Sequence, residues 1–178
     1  MRFAPTSIDG VVVVDIDPSK DERGAFARLH CPQEFAAAGH PFVPAQTSLS
    51  RNTRALTLRG LHYEAAPHEE AKLVRVTRGR IFDVAVDLRP DSPTYLAWTG
   101  AELSAENGRA LLIGRGMAHG FLTLEDDTDV LYQIDRIFEP GHGRGARWND
   151  PAFGVAWPAQ PKVISERDAT YPDHRPGG

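Results

Sequence analysis

The sequence predicts an all-β protein, a β-sandwich or barrel with a few short helices. Short β-branched runs recur at roughly 8–12-residue spacing with turn signals between them. Helical periodicity is nearly absent. The 178 residues and 41% hydrophobic content suit one core, so residues 1–178 read as a single domain.

The elements follow in order. Val11–Ile16 is β-branched and ends at Pro18. Ala25–Leu29 follows the turn Asp21-Glu22-Arg23-Gly24. Pro32–Ala38 is a short helix, with proline early and Gly39 just past its end. Lys72–Thr77 and Ile81–Leu88 read as a hairpin across Thr77-Arg78-Gly79-Arg80. Tyr95–Leu103 and Arg109–Ile113 join across Asn107-Gly108, where glycine supplies a positive φ. Phe121–Leu124 and Asp129–Ile134 pair around Glu125-Asp126-Asp127. Residues 139–147 read as loop. The polar, Pro-rich segment 158–178 holds one helical turn begun by Ser165-Glu166-Arg167-Asp168.

Composition excludes several classes. A net charge of −4 argues against general nucleic-acid binding. Apolar runs such as Val11–Val14 are far too short to span a membrane, and no signal peptide is apparent. Cys31 is the only cysteine, so no intrachain disulfide forms, and a cytoplasmic location is expected. Between Arg51 and Arg80, seven basic residues face three acids, a local excess that suits a small anionic ligand.

Period-two alternation places polar groups on apolar faces. Lys72 shares a face with Val74 and Val76; Asp83 and Asp87 share one with Ile81 and Ala85; Tyr132 shares one with Val130 and Ile134. Such groups line a polar pocket inside a barrel. His62 can accept a proton, Lys72 can stabilise an enolate oxygen, and Tyr132 can donate a proton from another side. Asp168 and Asp83 are the two carboxylates that can orient His62. Arg59 has the planar fork that grips a phosphate. This set fits proton abstraction beside a ketone.

A metal site is the rival chemistry. Cupin barrels use a His-x-His pair, but His62-Tyr63-Glu64 lacks the second histidine. Only Glu64, Glu69 or Glu70 with His119 could replace it. A metal-dependent cupin oxygenase and a non-catalytic sugar-nucleotide-binding module are therefore the less favoured readings.

The chain resembles the dTDP-4-dehydrorhamnose 3,5-epimerase family, a branch of the cupin superfamily. The resemblance rests on Asp21–Phe26, Arg59-Gly60-Leu61-His62-Tyr63, Ala71–Arg75, Phe82–Arg89 and Ser92-Pro93-Thr94. It continues through Leu103–Asn107, Ala118-His119-Gly120-Phe121, Trp148–Pro151 and Ser165–Asp168, all in the same order. It implies a jelly-roll barrel, a homodimer, and no metal or other cofactor. It further implies His62 as proton acceptor assisted by Asp168, and Tyr132 as proton donor. Lys72, Arg59, His119 and Arg167 would hold the substrate, with Arg23, Phe26, Arg28, Gln46 and Ser48 on the nucleotide side.

The departures fall on that nucleotide side. The family usually has Glu where Arg28 stands, Asn where Ser48 stands and Glu near Gly143. It usually has a base-stacking aromatic where Ile137 or Phe138 stands. The expected activity is inversion of C3 and C5 in a nucleoside-diphosphate 4-keto-6-deoxy sugar. Inversion at C3 alone or C5 alone, or another nucleotide, is the alternative.

Overall fold

A computed structural model describes residues 1–175. Strands β1 (Arg2–Pro5) and β2 (Val11–Asp15) precede a small hairpin, β3 (Ser19–Asp21) and β4 (Gly24–Phe26), and helix α1 (Pro32–Ala37). Next come β5 (Gln46–Asn52), β6 (Thr57–Glu64), β7 (Lys72–Arg78), β8 (Arg80–Asp87) and β9 (Trp98–Ser104). The chain continues through β10 (Ala110–Ile113), β11 (Met117–Thr123), β12 (Thr128–Ile134), β13 (Gly143–Gly145), β14 (Val163–Ile164) and helix α2 (Glu166–Ala169).

These strands form two facing sheets. The first runs β1-β2-β10-β7-β12-β5, and the second runs β13-β6-β11-β8-β9, with β14 added alongside β6. Between them lie Val74, Val76, Ile81, Ala85, Leu111, Phe121 and Val130, with Tyr132 packed against that cluster. The odd/even alternation thus aims one residue set inward. Helix α1 covers the outside of the first sheet with Phe35, beside Phe42, Val12, Val14 and Leu73. The outside of the second sheet is closed by Ala146 and Phe153 over Leu61, Val84, Val86 and Ala118. The all-β, cupin-like architecture agrees with the sequence reading. No helix among the described residues is long and apolar enough to cross a membrane.

Strand connectivity differs from the expectation in one systematic way. The three expected hairpins are crossings between sheets. β7 pairs with β10 and β12, whereas β8 pairs with β11 and β9. Likewise β9 and β10 lie in opposite sheets, as do β11 and β12. Gly79, at φ +76°, turns the chain from one sheet to the other. A tight turn looks the same in sequence whether the flanking strands pair or part. Strand β5 carries few β-branched residues, so composition does not mark it. Nor does composition mark the edge strand β1 or the hairpin strand β3.

One irregularity positions the chemistry. His119 pairs with His62 and Phe121 with Arg59, so two steps on β11 match three on β6. This bulge puts Arg59 and His62 on one face, where strict alternation would separate them. Two glycines permit the close approach. A Cβ on Gly60 would lie 2.5 Å from the Gly120 Cα, and one on Gly120 would lie 2.8 Å from the Arg59 carbonyl oxygen.

Candidate active site

His62 reaches from β6 toward α2. Its Nε2 lies 2.8 Å from Asp168 Oδ1, while Asp168 Oδ2 accepts the Gly60 backbone N–H at 3.1 Å. The short helix exists to hold that carboxylate: Ser165 caps it by accepting the Asp168 N–H. Burial raises the Asp168 carboxyl, but the hydrogen bond and charge of His62, with Gly60 and Ser165, outweigh it. The group is held below the usual carboxylate range. An ionised Asp168 keeps the proton on Nε2 and leaves Nδ1 as the basic nitrogen.

The second candidate carboxylate has a different partner. Asp83 Oδ1 lies 2.7 Å from His119 Nε2, both side chains being buried. The sequence left Asp168 and Asp83 open as the orienter of His62, and the geometry gives each histidine its own carboxylate. Burial raises the Asp83 carboxyl, against the charge and hydrogen bond of His119 and the charge of Lys72. Its Oδ2 has no hydrogen-bond partner among the described residues.

Tyr132 projects inward from β12 in the opposite sheet. Its ring meets His119 edge-on at 5.7 Å and lies 6.5 Å from Phe121. Burial, then the negative charge of Asp83, pushes the phenol well above its usual range, against the pull of Arg59. It therefore stays protonated at neutral pH. Lys72, at the start of β7, is buried and ion-paired with Glu70 at 3.1 Å. Arg59 is fixed by donating Nε–H to Asn52 Oδ1 at 2.8 Å.

His62 and Lys72 share the wall of a cavity of about 320 Å³ with Tyr63, Arg144 and Arg167. That size suits a small organic ligand. Gln46 and Ser48 lie on the same inward face of β5, opposite Ile134 and Tyr132. Arg23, Phe26 and Arg28 do not join this site within one chain. Arg23 and Phe26 belong to the separate β3–β4 sheet and border a different hollow of about 450 Å³. Arg28 is bound to Glu34 at 2.5 Å.

Sequence reasoning missed Glu70 as the partner of Lys72, and Arg144 on the cavity wall. It also missed Tyr171, whose ring lies 6.1 Å from His62 and 5.6 Å from the Arg167 guanidinium carbon. Tyr171 sits in a Pro-rich segment with no periodicity to signal it. Glu70 was visible as an acid two residues before an inward lysine.

A cupin-like β fold, with a carboxylate-backed histidine and an ion-paired lysine on one cavity wall and a protonated phenol on the facing sheet, has the groups an isomerase needs. Comparison with known proteins agrees. The family model described as dTDP-4-dehydrorhamnose 3,5-epimerase matches residues 5–175, and the chain belongs to that family. It is 40% identical over 173 residues to the dTDP-4-dehydrorhamnose 3,5-epimerase of Sinorhizobium fredii, covering 97% of this chain and 89% of that protein. A dTDP-4-dehydrorhamnose 3-epimerase of Streptomyces niveus is 36% identical over 169 residues, covering 94% and 81%. The crystal structure of dTDP-4-dehydrorhamnose 3,5-epimerase from Bacillus anthracis, with TDP and PPi bound, superposes with a TM-score of 0.94 at 35% identity. That match covers 97% of this chain and 99% of the other.

Proposed function

We propose that this chain inverts C3 and C5 of dTDP-4-dehydro-6-deoxy-D-glucose, giving dTDP-4-dehydro-L-rhamnose. The observation that carries the reading is the His62–Asp168 pair, set against Tyr132 from the facing sheet. Both carbons flank the C4 ketone, so their protons are acidified by enolate formation. His62 Nδ1 takes the proton, and the C–H electrons move into the enolate. Asp168 stabilises the imidazolium, and Lys72 the enolate oxygen. Tyr132 then delivers a proton to the same carbon from the opposite side as the ketone re-forms. Solvent exchange restores His62 and Tyr132 to their starting states. His119, held by Asp83, and Arg59 position the sugar, and Arg167 with Arg144 supplies positive charge at the cavity wall.

The nucleotide side is completed by a homodimer. Phe26 is 82% exposed on the projecting β3–β4 hairpin, and Leu49 is 48% exposed on β5, the edge strand of its sheet. Apolar groups on a bare strand edge suit a second copy of the chain. Its hairpin would carry Arg23 and Phe26 toward the first copy's cavity. A lone thiol at Cys31 suits action in the cytoplasm.

The test is incubation with the 4-keto sugar nucleotide in D2O, with deuterium and configuration read at C3 and C5 by NMR. Deuterium and inversion at both carbons support the reading, and no exchange at either overturns it. The Streptomyces niveus relative makes C3-only inversion the second reading, which deuterium confined to C3 would select.

Nucleoside recognition should be relaxed. Arg28 is engaged by Glu34, and Ser48 lacks the amide of the family's usual Asn. Titration of dTDP, UDP, GDP and CDP into the dimer should show less than about tenfold preference for dTDP, roughly 1.4 kcal/mol. A much stronger preference, unchanged in Arg28→Glu and Ser48→Asn, would show that these departures leave recognition intact.

A further inference from the structure

We propose that His68, Glu139 and His142 form a binding site for a divalent transition-metal cation of the zinc class, and that the cation fastens the 136–142 loop beside the catalytic cavity. These residues offer two imidazole nitrogens and a carboxylate oxygen, all within 4.8 Å of one another. Two imidazoles and one carboxylate are a donor set that suits zinc, cobalt or nickel. His68 Nδ1 lies 3.3 Å from Glu139 Oε2, and His142 Nε2 lies 3.9 Å from the same oxygen.

Tetrahedral ligands at about 2.0–2.1 Å from a metal stand roughly 3.3 Å apart. One pair already has that separation, and the others must close by about 1 Å through ring rotation. The two rings are stacked, with centroids 3.6 Å apart and planes at 14°, so binding would open the stack. His68 Nδ1 is buried and approaches Glu139 without making a hydrogen bond.

A second observation points to a cation. Glu64 Oε2, bordering the same recess, is buried with no hydrogen-bond partner among the described residues. Glu70 is held by Lys72, and Arg136 donates to the Pro67 carbonyl. The recess holds about 10 Å³ of free space, about one water-sized sphere. Phe138 borders both this recess and the cavity of His62 and Lys72, so fixing the loop fixes part of that cavity's wall. This site lies apart from the His62–Asp168 pair, and the proposal does not depend on which sugar nucleotide is used.

The experiment is titration of tag-free, chelator-treated protein with Co²⁺, followed by visible absorption, and with Zn²⁺, followed by calorimetry. We expect one equivalent of each metal and ligand-field bands of low-coordinate cobalt. His142→Ala and Glu139→Gln should weaken binding at least about tenfold to a hundredfold, since even outer-shell losses cost that much. His40→Ala, outside the cluster, should leave binding unchanged. Zn²⁺ should also slow proteolytic nicking between 136 and 142 in the native chain and not in His142→Ala. Absent cobalt bands, or equal affinity in the native chain and the two cluster variants, overturns the site. Nicking unaffected by bound Zn²⁺ overturns the fastening.

Discussion

His62→Gln should lose exchange of the C3 and C5 protons by roughly 10²–10⁴-fold, the usual contribution of a positioned general base. Substrate binding should persist, because the proposed phosphate-holding groups, Arg59 and the cavity-wall arginines, are untouched. Gln is the informative replacement. Asp168 is buried, and removing its partner outright would strand a carboxylate among few donors. The Gln Nε2 reaches the position of the histidine Nε2 and can still donate to Asp168 Oδ1, so the fold and the α2 clip should survive. The measurement is deuterium incorporation at saturating substrate, with affinity taken separately by calorimetry. Near-native exchange in this variant would mean that another group removes the proton.

Tyr132→Phe should separate exchange from inversion. Phenylalanine keeps the ring that packs on His119 and Phe121, so only the hydroxyl is lost. His62 sits on the other sheet and should still remove protons, so deuterium should enter with configuration retained. Inverted product should fall by roughly the 10²–10⁴-fold attributed to a positioned acid. The raised phenol also predicts a pH effect. Its proton is kept past the ordinary tyrosine range, so inversion by the native enzyme should not fail through loss of this acid just below it. Native-rate inversion in Tyr132→Phe would assign the acid to water or another side chain.

Much of the barrel was legible because alternation survives in the inner strands. Lys72, Asp83 and Tyr132 stood out as polar members of apolar faces, and all three point inward. What alternation could not do was choose between two aspartates for His62. Asp168 is 106 residues away, and Asp83 belongs to His119, its diagonal neighbour across the regular β8–β11 register. Nor could it separate a hairpin from a crossing, since Gly79 serves both equally. Arg23 and Phe26 were legible as residue types, but their place on a separate hairpin was not.

The 106-residue span between His62 and Asp168 also sets when this pair can first form. Chains emerge from the ribosome at about 5–20 residues per second, so the histidine precedes its carboxylate by roughly 5–20 s. Through that interval the barrel strands lack both the α2 clip and the β14 strand that lies parallel to β6. The nascent chain therefore carries His62 without its carboxylate until α2 is made.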